Sequence, residues 1–475
     1  MFKQTVLAVA IILAMALPAA VRAQTNPQLE EIRKQIQELK ESYDARIQAL
    51  EKQLKDAEAS TAKAQAAASE AQSAATQAKQ TAEAAQAPAA GQPTNQNAFN
   101  PALSLILQGG YYNSSQNPNT RSITGFLPPG ELALPERGFY LGESEITLSA
   151  NIDHLFYGQA TFAIENGSDL STEEAFFQTT SLGHGLTGKA GRFFSGIGYE
   201  NSQHQHNWDF VDDALVQQSF LGQNFAVDGL QVSWIAPTPL YVELGAEGGK
   251  PVEFPFPGSD HNANGFQVAT VFARLGGDIG VSHSYLVGAW ALQSKNSIVD
   301  QPLGFLDTVT GVQNLANGGN TKLWGLDFVY KWAPEGDRVD RNFKLVAEWM
   351  HRSVDSTLTY APAGPGTQVG DFTANQSGWF VQGIYQFEPA WRVGLRYGQL
   401  DEGSYDLGPG LVGAPGLAPP DFTPKRVSAM IDWSPSEFSR FRLQFNQDKS
   451  QIGITDNQVY LQYILSLGTH GAHKY

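Results

Sequence analysis

From about residue 97 onward the chain alternates apolar with polar or small side chains in segments of about ten residues, separated by turn-rich stretches. A strict period of two specifies strands with two unlike faces, and ten-residue segments of this kind are the mark of a β-barrel that crosses a membrane. Sixteen segments fit: 103–112, 139–151, 156–164, 173–180, 186–194, 225–236, 240–247, 265–275, 282–293, 322–332, 343–352, 377–387, 391–400, 425–434, 439–447 and 457–467. Short turns, such as Asp153-His154, Gly183-His184 and Glu388-Pro389, alternate with long loops, such as 113–138, 195–224, 294–321, 353–376 and 401–424. Barrels of the outer membrane have short periplasmic turns and longer external loops, and an even strand number returns both ends to the periplasm. The expected fold is therefore an all-β, 16-stranded antiparallel transmembrane barrel over 98–475.

Composition agrees. Charged residues make up 16% of the 475, with 47 glycines, 27 phenylalanines, 16 tyrosines and 9 tryptophans; soluble chains carry about a quarter charged residues. Eight of the nine tryptophans, all but Trp208, fall on expected strands, as a lipid-facing surface predicts. Trp332, Phe343, Phe387, Trp391, Trp433 and Phe438 flank turns, where a half-apolar ring suits the headgroup level. Absence of cysteine excludes disulfides, zinc–thiolate sites and thiol nucleophiles. A net charge of −16 argues against a nucleic-acid partner.

The first 97 residues read differently. Residues 1–23 have the Lys3 start, apolar run and small residues near Ala23 of a secretory signal. Across 24–86, Leu29, Ile32, Ile36, Leu39 and Tyr43 are spaced 3-4-3-4, and an alanine seam continues after one stutter. The expectation is a periplasmic coiled coil, with a solvated single helix or a partly disordered Ala-rich linker as the alternative; 87–97 is a linker. A stalk of this kind could act as an envelope tether with peptidoglycan as a partner.

Parity sorts the barrel's faces. With Trp391, Val393, Leu395, Phe441, Leu443 and Phe445 toward lipid, Arg392, Arg396, Arg440 and Arg442 point inward; Lys344, Arg352 and Arg426 join them by the same rule. A charge facing hydrocarbon costs roughly 2–4 kcal/mol at mid-depth. Residues before 97 carry ten basic and ten acidic groups, so the whole negative balance lies in the barrel and the seven cations are a local stripe. Lumenal Arg and Lys favour small inorganic or organic anions. The alternative is a wetted wall whose cations are paired with Asp327, Glu348 and Asp432.

Loop 195–224 carries Glu200, His204, His206, Asp209, Asp212 and Asp213. It is a candidate constriction loop, and His204-x-His206 with nearby carboxylates is a candidate metal site, imidazole and carboxylate both being zinc ligands. The remaining histidines are scattered, with no nucleophile elbow, HExxH or phosphate-binding glycine loop, so no enzyme and no cofactor is expected.

Phe139-Tyr140-Leu141-Gly142-Glu143 and Ala190-Gly191-Arg192-Phe193-Phe194, together with the strand count, the helical N-terminus and the lumenal Arg/Lys, resemble the phosphate-selective porins of the O/P group. The stretches 198–210 and 467–475 resemble a group labelled zinc-regulated or TonB-dependent receptor-like. A TonB-dependent receptor needs about 22 strands around a plug, which leaves porin as the better reading. The resemblance implies an outer-membrane channel for small hydrophilic solutes, anions such as phosphate favoured, assembled as a homotrimer among outer-membrane lipids. Tyr475 would supply the terminal aromatic that such barrels use in assembly. A zinc-responsive, metal-handling protein is the second functional reading.

Overall fold

In the computed structural model the chain divides into two units, Met1–Asn97 and Ala98–Tyr475. The described residues are Lys55 and 101–468, except 127–133, 166–168, 223, 253–263, 296–302, 307–312, 361–367 and 412–420. The signal, coiled coil, linker and Tyr475 expected above lie outside them.

All sixteen expected strands form, and every neighbouring pair is antiparallel. The first half runs β1 (Ala102–Ser114), β2 (Gly138–Leu141), β3 (Ser144–Asn151), β4 (Phe156–Glu165), β5 (Asp169–Thr179), β6 (Leu186–Phe194), β7 (Ala226–Ile235), β8 (Tyr241–Pro251) and β9 (Val268–Ile279). The second half runs β10 (His283–Lys295), β11 (Leu303–Leu306), β12 (Gln313–Trp332), β13 (Asn342–Tyr360), β14 (Gln368–Glu388), β15 (Trp391–Leu407), β16 (Lys425–Ser436), β17 (Ser439–Lys449) and β18 (Asp456–Gly468). Segments β2 and β3 are one barrel strand broken at Gly142-Glu143, since both pair with β1, and β11 is a short partner of the β12 extension. Pairing of β1 with β18, from Ser104↔Gly468 to Ser114↔Gln458, closes the sheet. Closure gives every barrel strand a neighbour on each side and leaves no open edge, which a membrane requires.

The outer surface is what the alternation predicts. On β17, Phe441, Leu443 and Phe445 are exposed while Arg442, Gln444 and Asn446 are buried. Leu326, Leu395 and Leu461 are each at least half exposed. Side chains like these belong against hydrocarbon, since soluble proteins seldom expose contiguous apolar area on this scale. A bidentate Arg192–Asp228 pair (2.7 and 2.9 Å) also faces outward, close to the ends of β6 and β7 that lead into the longest inner loop.

Three features depart from expectation. Strands β12 to β15 run 17–21 residues, so much of 313–321, 353–360, 368–376 and 401–407 is strand rather than loop. Alternation of long and short connections breaks between β4 and β5, which only 166–168 join. Trp290, expected at lipid, points inward at 5% exposure beside Leu286 and Leu292. Its strand is apolar on both faces because the inner face packs on protein instead of water.

Candidate functional site

That protein is loop 195–224. It leaves β6, the fifth strand around the barrel, crosses the interior and meets β13 to β17 on the far wall. Sequence drives it inward: Ile197, Phe210, Ala214, Leu215, Val216, Phe220 and Leu221 are all buried, and the six residues of a short helix, Leu215–Phe220, have no solvent face. Inward-facing Phe272, Trp290, Met350, Phe380 and Leu400 join that cluster. Glycine makes room for it. A Cβ on Gly245 would sit 2.0 Å from the Phe272 ring, and one on Gly378 would sit 2.8 Å from Val216 Cγ2.

The seven cations of the expected stripe all face inward; four meet the loop's acids and the other three its backbone carbonyls. Asp209 pairs with Lys344 and with Arg392 (3.2 Å). Asp212 accepts from Arg396 (2.5 Å), Gln444 (2.6 Å) and Asn446 (2.9 Å), and pairs with Arg426 at 3.1 Å. Burial would raise the Asp212 carboxyl, but Arg426 and Arg396 outweigh it and hold it down at about 2. Lys344 and Arg392 outweigh burial at Asp209 in the same way and lower it. Arg442 pairs with Asp432 (2.8 Å) and donates to the Trp208 carbonyl (3.0 Å). Arg352 donates to the Ser219 carbonyl (3.2 Å) and stacks over Phe220, and Arg440 reaches the His206 carbonyl at 3.5 Å.

Of the three wall carboxylates considered as partners for the stripe, only Asp432 takes that role among the described residues. Glu348 instead accepts from the loop: the Tyr199 N–H (2.8 Å), the Glu200 N–H (2.7 Å) and Gln217 Nε2 (2.8 Å). Asp327 lies against Gly288 on β10. Glu200 accepts from Gln382 (2.7 Å); burial, then repulsion from Asp209, pushes its carboxyl up to about 7. Burial and the nearby Glu200 charge likewise push Asp213 well above the carboxylate range, while its backbone carbonyl accepts from Arg426.

His204 and His206 sit on the opposite wall. His204 lies 3.2 Å from Glu173 and 3.1 Å from Glu174, and His206 lies 2.6 Å from Glu145. The three glutamates were not picked out from sequence; their strand parity alone would have placed Glu145 and Glu174 inward. Arg121, Lys189 and Arg274 were also missed. Arg121 pairs with Asp448 (2.9 Å) and donates to Gln218 of the loop (2.9 Å). Arg274 pairs with Glu243 (2.9 Å) and donates to the Gly196 carbonyl (2.6 Å). The loop is thus held at both walls by charge-assisted bonds, the strong kind.

Comparison with known proteins places this architecture. The family described as "Putative beta-barrel porin-2, OmpL-like" (BBP2) matches residues 101–468. An "Uncharacterized protein" of Aquifex aeolicus (strain VF5) is 29% identical over 411 residues, 81% of each chain. Among solved structures, the outer membrane channel DcaP of Acinetobacter baumannii matches with 12% identity and a TM-score of 0.48, covering 78% of this chain and 97% of that one. OprB of Pseudomonas putida matches at 14% and 0.44, over 78% and 94%. OmpT of Vibrio cholerae in its trimer form matches at 8% and 0.45, over 78% and 99%. The likeness to the phosphate-selective O/P group stays a resemblance. A closed sixteen-strand barrel matched along nearly its full length is decisive: the chain belongs to the BBP2 family of β-barrel porins and is an outer-membrane, porin-like channel protein.

Proposed function

We propose that this porin passes small hydrophilic solutes passively, that loop 195–224 sets the width of the path, and that anions such as phosphate are favoured. Charge is balanced differently at different depths. Farther from the short turns, Arg396 and Arg426 face Asp212 and Asp448, and the field there is largely internal. Toward the short-turn end, Lys331, Lys344, Arg392, Arg440 and Arg442 gather around Asp209, Asp432 and Glu200, five cations to three carboxyls, of which Glu200 is pushed up to about 7. Lys344 and Arg392 keep 21% of their side chains exposed while sharing Asp209, and this is the observation that carries the reading. A surplus of positive charge at a low-dielectric mouth concentrates anions and repels cations. Homotrimeric assembly belongs to the same proposal, by likeness to general porins.

Planar-bilayer recording tests it. In a potassium chloride gradient the reversal potential should carry the sign of anion preference, and phosphate added to one side should reduce chloride current. Cation-selective reversal, or a folded protein that does not conduct, would overturn it.

A further inference from the structure

Glu145, Glu173 and His204 bring one ligand atom each to within 4.8 Å of one another at the β3–β5 wall. Their convergence has a specific cause. Thr161 pairs with Glu174 and the next residue, Phe162, pairs with Thr172, so Glu173 is the extra residue of a β-bulge. Without the bulge Glu173 and Glu174 would point to opposite faces; with it, both reach His204. The other two ligands come from β3 and from the loop, each about thirty residues from Glu173 along the chain.

We infer that these groups form a binding site for a divalent cation of the zinc class, with His204 Nδ1, Glu145 and Glu173 as ligands and His206 Nδ1 beside them. His204 Nδ1 lies 3.2 Å from Glu173 Oε2 and 3.4 Å from Glu145 Oε2; His206 Nδ1 lies 2.6 Å from the other Glu145 oxygen. A metal-binding imidazole needs its second nitrogen fixed by an acceptor. Glu174 Oε2 stands 3.1 Å from His204 Nε2, so a proton on Nε2 leaves the Nδ1 lone pair facing Glu145 and Glu173. Glu174 is itself anchored by the Phe194 N–H at 3.1 Å. Glu143 hydrogen-bonds Glu173, which brings a fourth carboxylate. Side chains of the histidines and of Glu145, Glu173 and Glu174 are 1–16% exposed, so the negative charge has little solvent to spread into. Mixed imidazole and carboxylate donors suit zinc and its neighbours better than calcium or magnesium, which prefer all-oxygen sets. An ion here would fasten the loop to the wall it faces at this side of the barrel.

The test is calorimetric titration of Zn²⁺ into the detergent-folded, chelator-stripped full-length protein. We expect one site per chain, lost in Glu173→Gln and in His204→Ala/His206→Ala. Glu174→Gln should keep the stoichiometry and weaken affinity about 10- to 100-fold. Heat-modifiable migration in gels reports folding of each variant, and Glu174→Gln retains all the ligands should the others fold poorly. Absence of stoichiometric Zn²⁺ binding to the wild type, or isotherms identical to it in the folded ligand variants, would overturn the site.

Discussion

Asp212→Asn removes one charge and almost no volume, yet the structure places it at the centre of the loop's attachment. The carboxylate meets two guanidiniums, Arg396 at 5% and Arg426 at 2% side-chain exposure, and accepts from two amides. An asparagine here leaves both cations buried against a neutral group that must present its own N–H to one of them. Removing one partner of a buried pair costs about 3–5 kcal/mol. Arg426 keeps Asp448 at 3.8 Å, which favours the lower end. At 1.4 kcal/mol per tenfold, the docked-to-undocked ratio of the loop falls by about two to three and a half powers of ten. Single-channel recording reads this directly, with larger mean conductance and more current noise than the wild type. Adding Arg396→Gln and Arg426→Gln should recover part of the quiet behaviour, because the stranded charges go with it. A folded Asp212→Asn protein with unchanged conductance and noise would refute the claim that this contact holds the loop.

Two more outcomes follow from the same network. Glu200, pushed up to about 7 by burial and by Asp209, and Asp213, raised by burial and by Glu200, bind protons more tightly in the docked loop than in solvent. Docking is therefore strengthened as pH falls through about 7 and weakened as it rises, while Asp209 and Asp212, lowered by the cations they face, stay ionised. Recordings should be quieter and smaller at pH 6 than at pH 8; the reverse order would contradict it. Replacing Lys344, Arg392 and Arg440 together by Gln should move the reversal potential toward no preference, and an unchanged value would remove these residues from the account of selectivity.

The barrel was legible because lipid and interior impose opposite demands on successive residues, and most of the sixteen segments show them. Strand height was not, because above the membrane the extensions of β12 to β15 no longer need an apolar face: Gln313 to Asn320 and Gly370 to Asn375 carry little apolar alternation. Trp290 misled for a related reason. With Leu286 and Leu292 inward and Val287 and Ala289 outward, parity alone gave no preferred face, and only the docked loop explains an apolar interior. The inward direction of the basic stripe was readable, but its partners were not, since Asp209 and Asp212 lie some 130 to 230 positions from the residues they bind. His204-x-His206 was a visible signal; the bulge that supplies Glu173 depends on pairing between two strands and leaves no mark on either alone.

Loop 195–224 is seated across the inside of the barrel. A Cβ on Gly398 of β15 would lie 3.7 Å from that of Leu215, close to the mean of about 3.8 Å found in disulfides. The chain has no cysteine of its own, so Leu215→Cys with Gly398→Cys gives an unambiguous probe. Under mild oxidation of the folded protein, the account predicts near-complete cross-linking of the loop to the wall, with both thiols consumed and single-channel noise reduced. Two free thiols in a folded, heat-modifiable barrel would contradict it.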